Sequence, residues 1–180
     1  MAARWRTNRT GVEPAAPADA PPDFQIADPN LDGADITMTP TEPFTVDGDR
    51  DEFVCVVYDP ALTADQNVQA IHVVPGNTRV AHHALVFRLD RSAADELSGG
   101  SERFDCFGAP PGDLIHAWAP GGRPLELPPT VGMPLTADQV LVVQMHYHPT
   151  GTSTEEDATS LQVRFMDETP AYDYQIALPG

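Results

Sequence analysis

The chain has 180 residues, with 27 acidic side chains against 10 basic ones, and a formal net charge of −17. That length fits one domain plus a tail. The acidity argues against nucleic acid or an anionic membrane as a partner, because both are bound through basic patches. No run of about 18 apolar residues is present to cross a bilayer as a helix.

Segment 1–9 carries Arg4, Arg6 and Arg9, but no apolar stretch follows, so it lacks the form of a signal peptide. Pro14, Pro17, Pro21 and Pro22, interleaved with alanines, predict an extended, disordered leader over residues 1–22, with the folded domain spanning 23–180. From Asp23 onward, short apolar runs are separated by Pro, Gly, Asp and Asn. They predict strands at 36–39, 53–58, 68–74, 78–89, 114–118, 140–148, 160–166 and 172–177. Pro75-Gly76-Asn77 predicts a tight turn that makes 68–74 and 78–89 a hairpin. The one helical suggestion is 92–97, with Ser92 as N-cap and Asp95 three residues on. Leu161, Val163 and Phe165 alternate with Gln162, Arg164 and Met166, the pattern of a half-buried strand. Many short strands and no long helix predict an all-β fold, an antiparallel β-sandwich or jelly roll.

Four of the 6 histidines fall at two strand sites. His82-His83 lies inside one apolar run, and His146-Tyr147-His148 ends another. Neutral imidazole is the commonest protein metal ligand. Imidazoles with no thiolate or helical His-Glu motif beside them suit copper, zinc or iron. A strand alternates its side chains, so His146 and His148 share a face while His82 and His83 should oppose each other. For both members of the pair to reach one ion, the backbone must twist, bulge or end there. On geometry alone, His146 and His148 with one of the pair is an equally reasonable ligand set. Met133 and Met145 could offer thioethers, but their apolar surroundings make them core residues, as with Trp118 and Phe87. His72 and His116 read as packed strand histidines. Asp105, Asp113 and Glu126 could each orient a ligand imidazole, and nothing in the sequence selects among them. Cys55 in a strand and Cys106 in a loop could form a disulfide, stay buried as thiols or supply a blue-copper thiolate. No acid–base dyad, nucleophile elbow or phosphate loop offers a different chemistry.

Four elements occur in order: His82-His83-Ala84-Leu85-Val86-Phe87, Trp118-Ala119-Pro120-Gly121, Leu127-Pro128-Pro129-Thr130-Val131-Gly132, and Gln144-Met145-His146-Tyr147. Together they resemble the N-terminal copper domain of the copper type II, ascorbate-dependent monooxygenases, the family of peptidylglycine α-hydroxylating and dopamine β-monooxygenases. The resemblance covers residues 51–166. It implies a β-sandwich that holds one copper ion through His82, His83 and His146, whereas His148 has no counterpart in the best-known members and is a further candidate ligand. It also implies a Cys55–Cys106 disulfide, and with it an oxidising, extracytoplasmic compartment, periplasmic or secreted. In the family this copper passes on an electron obtained from ascorbate. A second copper, on another domain, binds dioxygen and hydroxylates a C–H bond of a small-molecule or peptide substrate. That second domain does not fit in this length, so the resemblance implies an electron-transfer domain that needs its partner in cis or in trans. A non-catalytic copper-binding module or fragment is the alternative. A cupin-like metal oxygenase fits less well, because Pro149-Thr150-Gly151 follows His148 and Glu155 comes too late for the cupin pattern.

Overall fold

The structure is a computed structural model that describes residues 30–176. The leader expected over residues 1–22 lies outside the described residues. The chain first forms β1 (Ile36–Met38), β2 (Phe44–Val46), β3 (Glu52–Tyr58), β4 (Gln66–Val74), β5 (Ala81–Asp90) and α1 (Arg91–Ser98). It continues through β6 (Arg103–Asp105), β7 (Asp113–Trp118), β8 (Leu125–Glu126), β9 (Val131–Leu135) and β10 (Gln139–Tyr147). The last strands are β11 (Glu155–Asp157), β12 (Ser160–Phe165) and β13 (Tyr172–Asp173). One sheet runs β1-β12-β4-β9-β13, with β8 also paired to β4. The other runs β6-β3-β10-β5-β7, and β2 and β11 form a separate pair. Every pairing is antiparallel except that of β13 with β9. The expected all-β sandwich is therefore the observed fold.

The core follows from the two-residue period of the strands. On β10, Leu141, Val143, Met145 and Tyr147 point one way. They pack between the sheets with Val54, Val56 and Tyr58 of β3, Ile71 and Val73 of β4, Ala84 and Val86 of β5, and Leu161 and Val163 of β12. Val140 and Val142 point the other way and join Cys55, Phe87, Leu89 and Ala94 of α1 in a second cluster. Both faces of β10 are covered, which is why its sequence reads as a continuous apolar run. Each fully buried Val, Ile or Leu contributes about 1.5–3 kcal/mol on leaving water. The end of β10 is also pinned by a polar contact. The Tyr147 hydroxyl donates to buried Asp157 at 2.8 Å, and Asp157 also accepts from the Thr159 hydroxyl at 2.6 Å.

Two local expectations need correction. Pro75-Gly76-Asn77 does not close a hairpin, because β4 and β5 belong to different sheets. The Asn77 main-chain N–H donates to Asp157 at 2.7 Å, and its side-chain amide reaches Glu155 and the Glu156 carbonyl, each at 3.1 Å. A Cβ on Gly76 would lie 2.7 Å from the Ala158 nitrogen. The turn is thus seated on the segment around β11 and carries the chain from one sheet to the other. Helix α1 is N-capped by Asp90, not Ser92, and ends at Gly99 with φ 62°.

His72 and His116 are both buried, as expected. Burial, and then nearby His72, hold His116 below its ordinary value of 6.5, at about 4. The unfolded chain therefore takes up this proton first as the pH falls. The contribution of neutral His116 is complete above pH 6.5 and is lost progressively toward pH 4, amounting to about 2–3 kcal/mol by pH 4.5. Urea unfolding at pH 7.0 and pH 4.5 should accordingly show a smaller loss of stability in His116→Gln than in the wild type. Equal losses in the two proteins would reject this account of acid sensitivity.

Candidate metal centre

Strand β10 lies between β3 and β5, and its register against β5 creates the site. Gln144 opposes Leu85, Met145 opposes Ala84, and His146 opposes His83, but Tyr147 then opposes Ala81. His82 is the extra residue of a β-bulge. In a regular strand it would share the face of Ala84 and Val86, which lie in the core between the sheets. The bulge turns it toward the opposite face, where His83 and His146 already project. The backbone distortion that an adjacent histidine pair requires is present at the pair.

The three imidazoles converge through the same ring atom. The Nδ1 of His82 lies 3.2 Å from that of His83 and 3.2 Å from that of His146, and the Nδ1 atoms of His83 and His146 are 3.1 Å apart. Hydrogen bonding among neutral imidazoles cannot satisfy this triangle. Each Nδ1 offers either a proton or a lone pair, and a closed ring of three cannot alternate the two. At least one side must set proton against proton or lone pair against lone pair. A single cation facing three lone pairs removes the conflict. The size also fits, because a tetrahedral ion with bonds of about 2.0–2.1 Å holds its donors about 3.3–3.4 Å apart. The donor set is three imidazoles with no thiolate, and three ligands leave a further coordination position open.

One side of the cluster is built into the sheet and the other is open. His146 is buried, His83 is half-buried and His82 is exposed. Partial burial, then the adjacent His146 and His82, hold the His83 imidazole below its ordinary range. Phe53 on β3 opposes His146 and stacks flat on its ring, with centroids 4.3 Å apart and planes at 6°. Phe107 meets Phe53 edge-on at 5.3 Å and is itself 93% exposed. Two anchors fix the loop that carries Phe107. One is the disulfide between Cys55 and Cys106. The other is the Gln144 side-chain amide, which donates to the carbonyls of Cys106 at 2.9 Å and Gly108 at 2.6 Å. Gln144 precedes His146 by two residues and shares its face, so the Gln-x-His spacing couples the disulfide loop to the cluster.

His148 stands beside the triangle and not in it. Its main-chain N–H donates to the Val80 carbonyl at 2.8 Å, and its ring centroid is 6.3 Å from that of His82. Its Nδ1 lies 2.7 Å from one oxygen of Asp51, whose other oxygen is 2.9 Å from His146 Nε2. Hydrogen bonds from His146, and then from His148, hold the Asp51 carboxyl below the usual carboxylate range. Asp51 is the carboxylate that sequence reasoning missed. The signal for it is the register of β3 on β10, in which Tyr147 opposes Glu52 and the preceding Asp51 falls beside His148. Two of the three carboxylates considered from sequence are engaged elsewhere. Asp113 pairs with Arg88 at 2.6 Å, Glu126 pairs with Arg164 at 2.8 Å, and Asp105 is exposed on β6. Met133 and Met145 are buried in the core between the sheets, away from the cluster. The disulfide removes both cysteines as thiolate ligands.

No family model matches the chain. Among the described residues, no helix is long and apolar enough to cross a membrane.

Proposed function

We propose that this domain binds one copper ion through His82, His83 and His146 and serves as the electron-transferring copper domain of an ascorbate-dependent monooxygenase. The observation that carries the reading is the closed triangle of imidazole nitrogens with sides of 3.1–3.2 Å. Copper bound there would supply one-electron chemistry, since imidazole ligands support both of its common oxidation states. The protein's part is to hold the three rings at fixed positions on a rigid sheet and leave one side open to a reductant. The ordered motifs around His82-His83, Trp118, Leu127-Pro128 and Gln144-Met145-His146 favour ascorbate as that reductant. Hydroxylation of a C–H bond would then require an oxygen-activating copper domain as partner, in cis or in trans. The disulfide suits an extracytoplasmic, oxidising compartment. A second reading, a metal-binding module with no redox role, is favoured by the size of the triangle, which suits zinc equally.

Anaerobic addition of ascorbate to the Cu(II)-loaded protein separates the two readings. The Cu(II) electron paramagnetic resonance signal should bleach stoichiometrically, and when dioxygen is then admitted with excess ascorbate this chain by itself should form no hydroxylated product from glycine-extended peptides or phenethylamines. A signal that survives excess ascorbate would favour the non-redox module. Steady turnover of such a substrate would overturn the assignment as an electron donor.

A further inference from the structure

We propose that Asp51 is a positioning residue that selects the tautomer of His146, bridging it to His148 so that the His146 Nδ1 lone pair faces the cluster before any ion arrives. The inference rests on the metal reading above. An ionised carboxylate only accepts hydrogen bonds. The 2.9 Å contact from Asp51 to His146 Nε2 therefore requires a proton on Nε2. In a neutral imidazole that leaves the lone pair on Nδ1, the atom that meets His82 and His83 at 3.2 and 3.1 Å. An imidazole with no such partner samples both tautomers, and the one with a proton on Nδ1 cannot ligate through that atom.

The rest of the arrangement makes Asp51 more than an incidental contact. Its second oxygen accepts from His148 Nδ1 at 2.7 Å, so the carboxylate is held from two sides. His148 is in turn tied to the turn just before β5 through its main-chain bond to Val80. Phe53, two residues beyond Asp51 and on the same side of an extended chain, stacks on the His146 ring. One short stretch of chain thus supplies both the acceptor at the ring edge and the platform under the ring face. This gives His148 a role that explains its placement outside the triangle, as the brace of the carboxylate.

The test uses the full chain in the metal-free state and then with copper. Nitrogen-15 NMR of the metal-free wild type near neutral to mildly alkaline pH should show His146 protonated at Nε2. Asp51→Ala should show a mixture of tautomers and a copper affinity lower by about 10–100-fold in competition with a chromophoric chelator. Asp51→Asn keeps one acceptor oxygen, and should retain more of the wild-type tautomer and lose less affinity than Asp51→Ala. A wild-type His146 protonated at Nδ1, or the same tautomer and copper affinity in wild type and Asp51→Ala, would overturn the proposal. If the wild type binds no copper but its His146 tautomer still depends on Asp51, the positioning role stands and the metal reading falls.

Discussion

Replacing His82 and His83 together by alanine is expected to abolish copper retention. After loading with Cu(II) and exhaustive dialysis, the wild type should keep one ion per chain and the double variant none above background. The change removes two of three converging nitrogens and leaves His146 Nδ1 as a lone donor. It should spare the fold, since His82 is exposed at a bulge and His83 is only half-buried, while the core between the sheets lies on the other face. Each single alanine variant, His146→Ala included, should lose Cu(II) under the same dialysis. Zinc should compete with copper in vitro, because availability and geometry select the metal as much as ligand type does. Full copper stoichiometry in the double variant, with its circular dichroism unchanged, would show that the ligand set is wrong.

The second large effect concerns stability. Cys55 and Cys106 are bonded across a sequence separation of 51 residues. Closing a loop of that length in the unfolded chain stabilises the folded state by about 4 kcal/mol on a chain-entropy argument. For a domain of this size the paired Cys55→Ala, Cys106→Ala variant should melt about 8–16 °C lower. Calorimetry of the two proteins measures this directly. The loss should also reach the metal centre, because Phe107, next to Cys106, packs on the Phe53 ring that covers His146. An unchanged melting temperature would deny the disulfide its structural role.

Much of this arrangement was legible because strands write their period into the sequence. The apolar run ending at His146 and the histidine pair identify two strands, and for His82 and His83 to reach one ion the backbone must twist, bulge or end there; the structure has a bulge. What stayed hidden depended on pairing. Asp51 acquires its meaning only from the register of β3 on β10, which no local pattern encodes. The turn at Gly76 is ambiguous in sequence for a related reason. Two apolar runs joined by a tight turn can pair in one sheet or cross between two, and the contacts of Asn77 with residues 155–157 decide it. Strands β2, β6, β8 and β11 are two or three residues long, too short to show a period. Strand β9 contains Gly132 and Pro134, which mask a strand in sequence.

X-ray absorption spectroscopy of the Cu(I)-loaded chain tests the central claim most directly. The account predicts three nitrogen neighbours at about 2.0 Å, with the outer-shell scattering of three imidazole rings and no sulfur. A sulfur neighbour would contradict it, since Met133 and Met145 are buried in the core between the sheets and both cysteines are in the disulfide. So would a spectrum that contains a single imidazole.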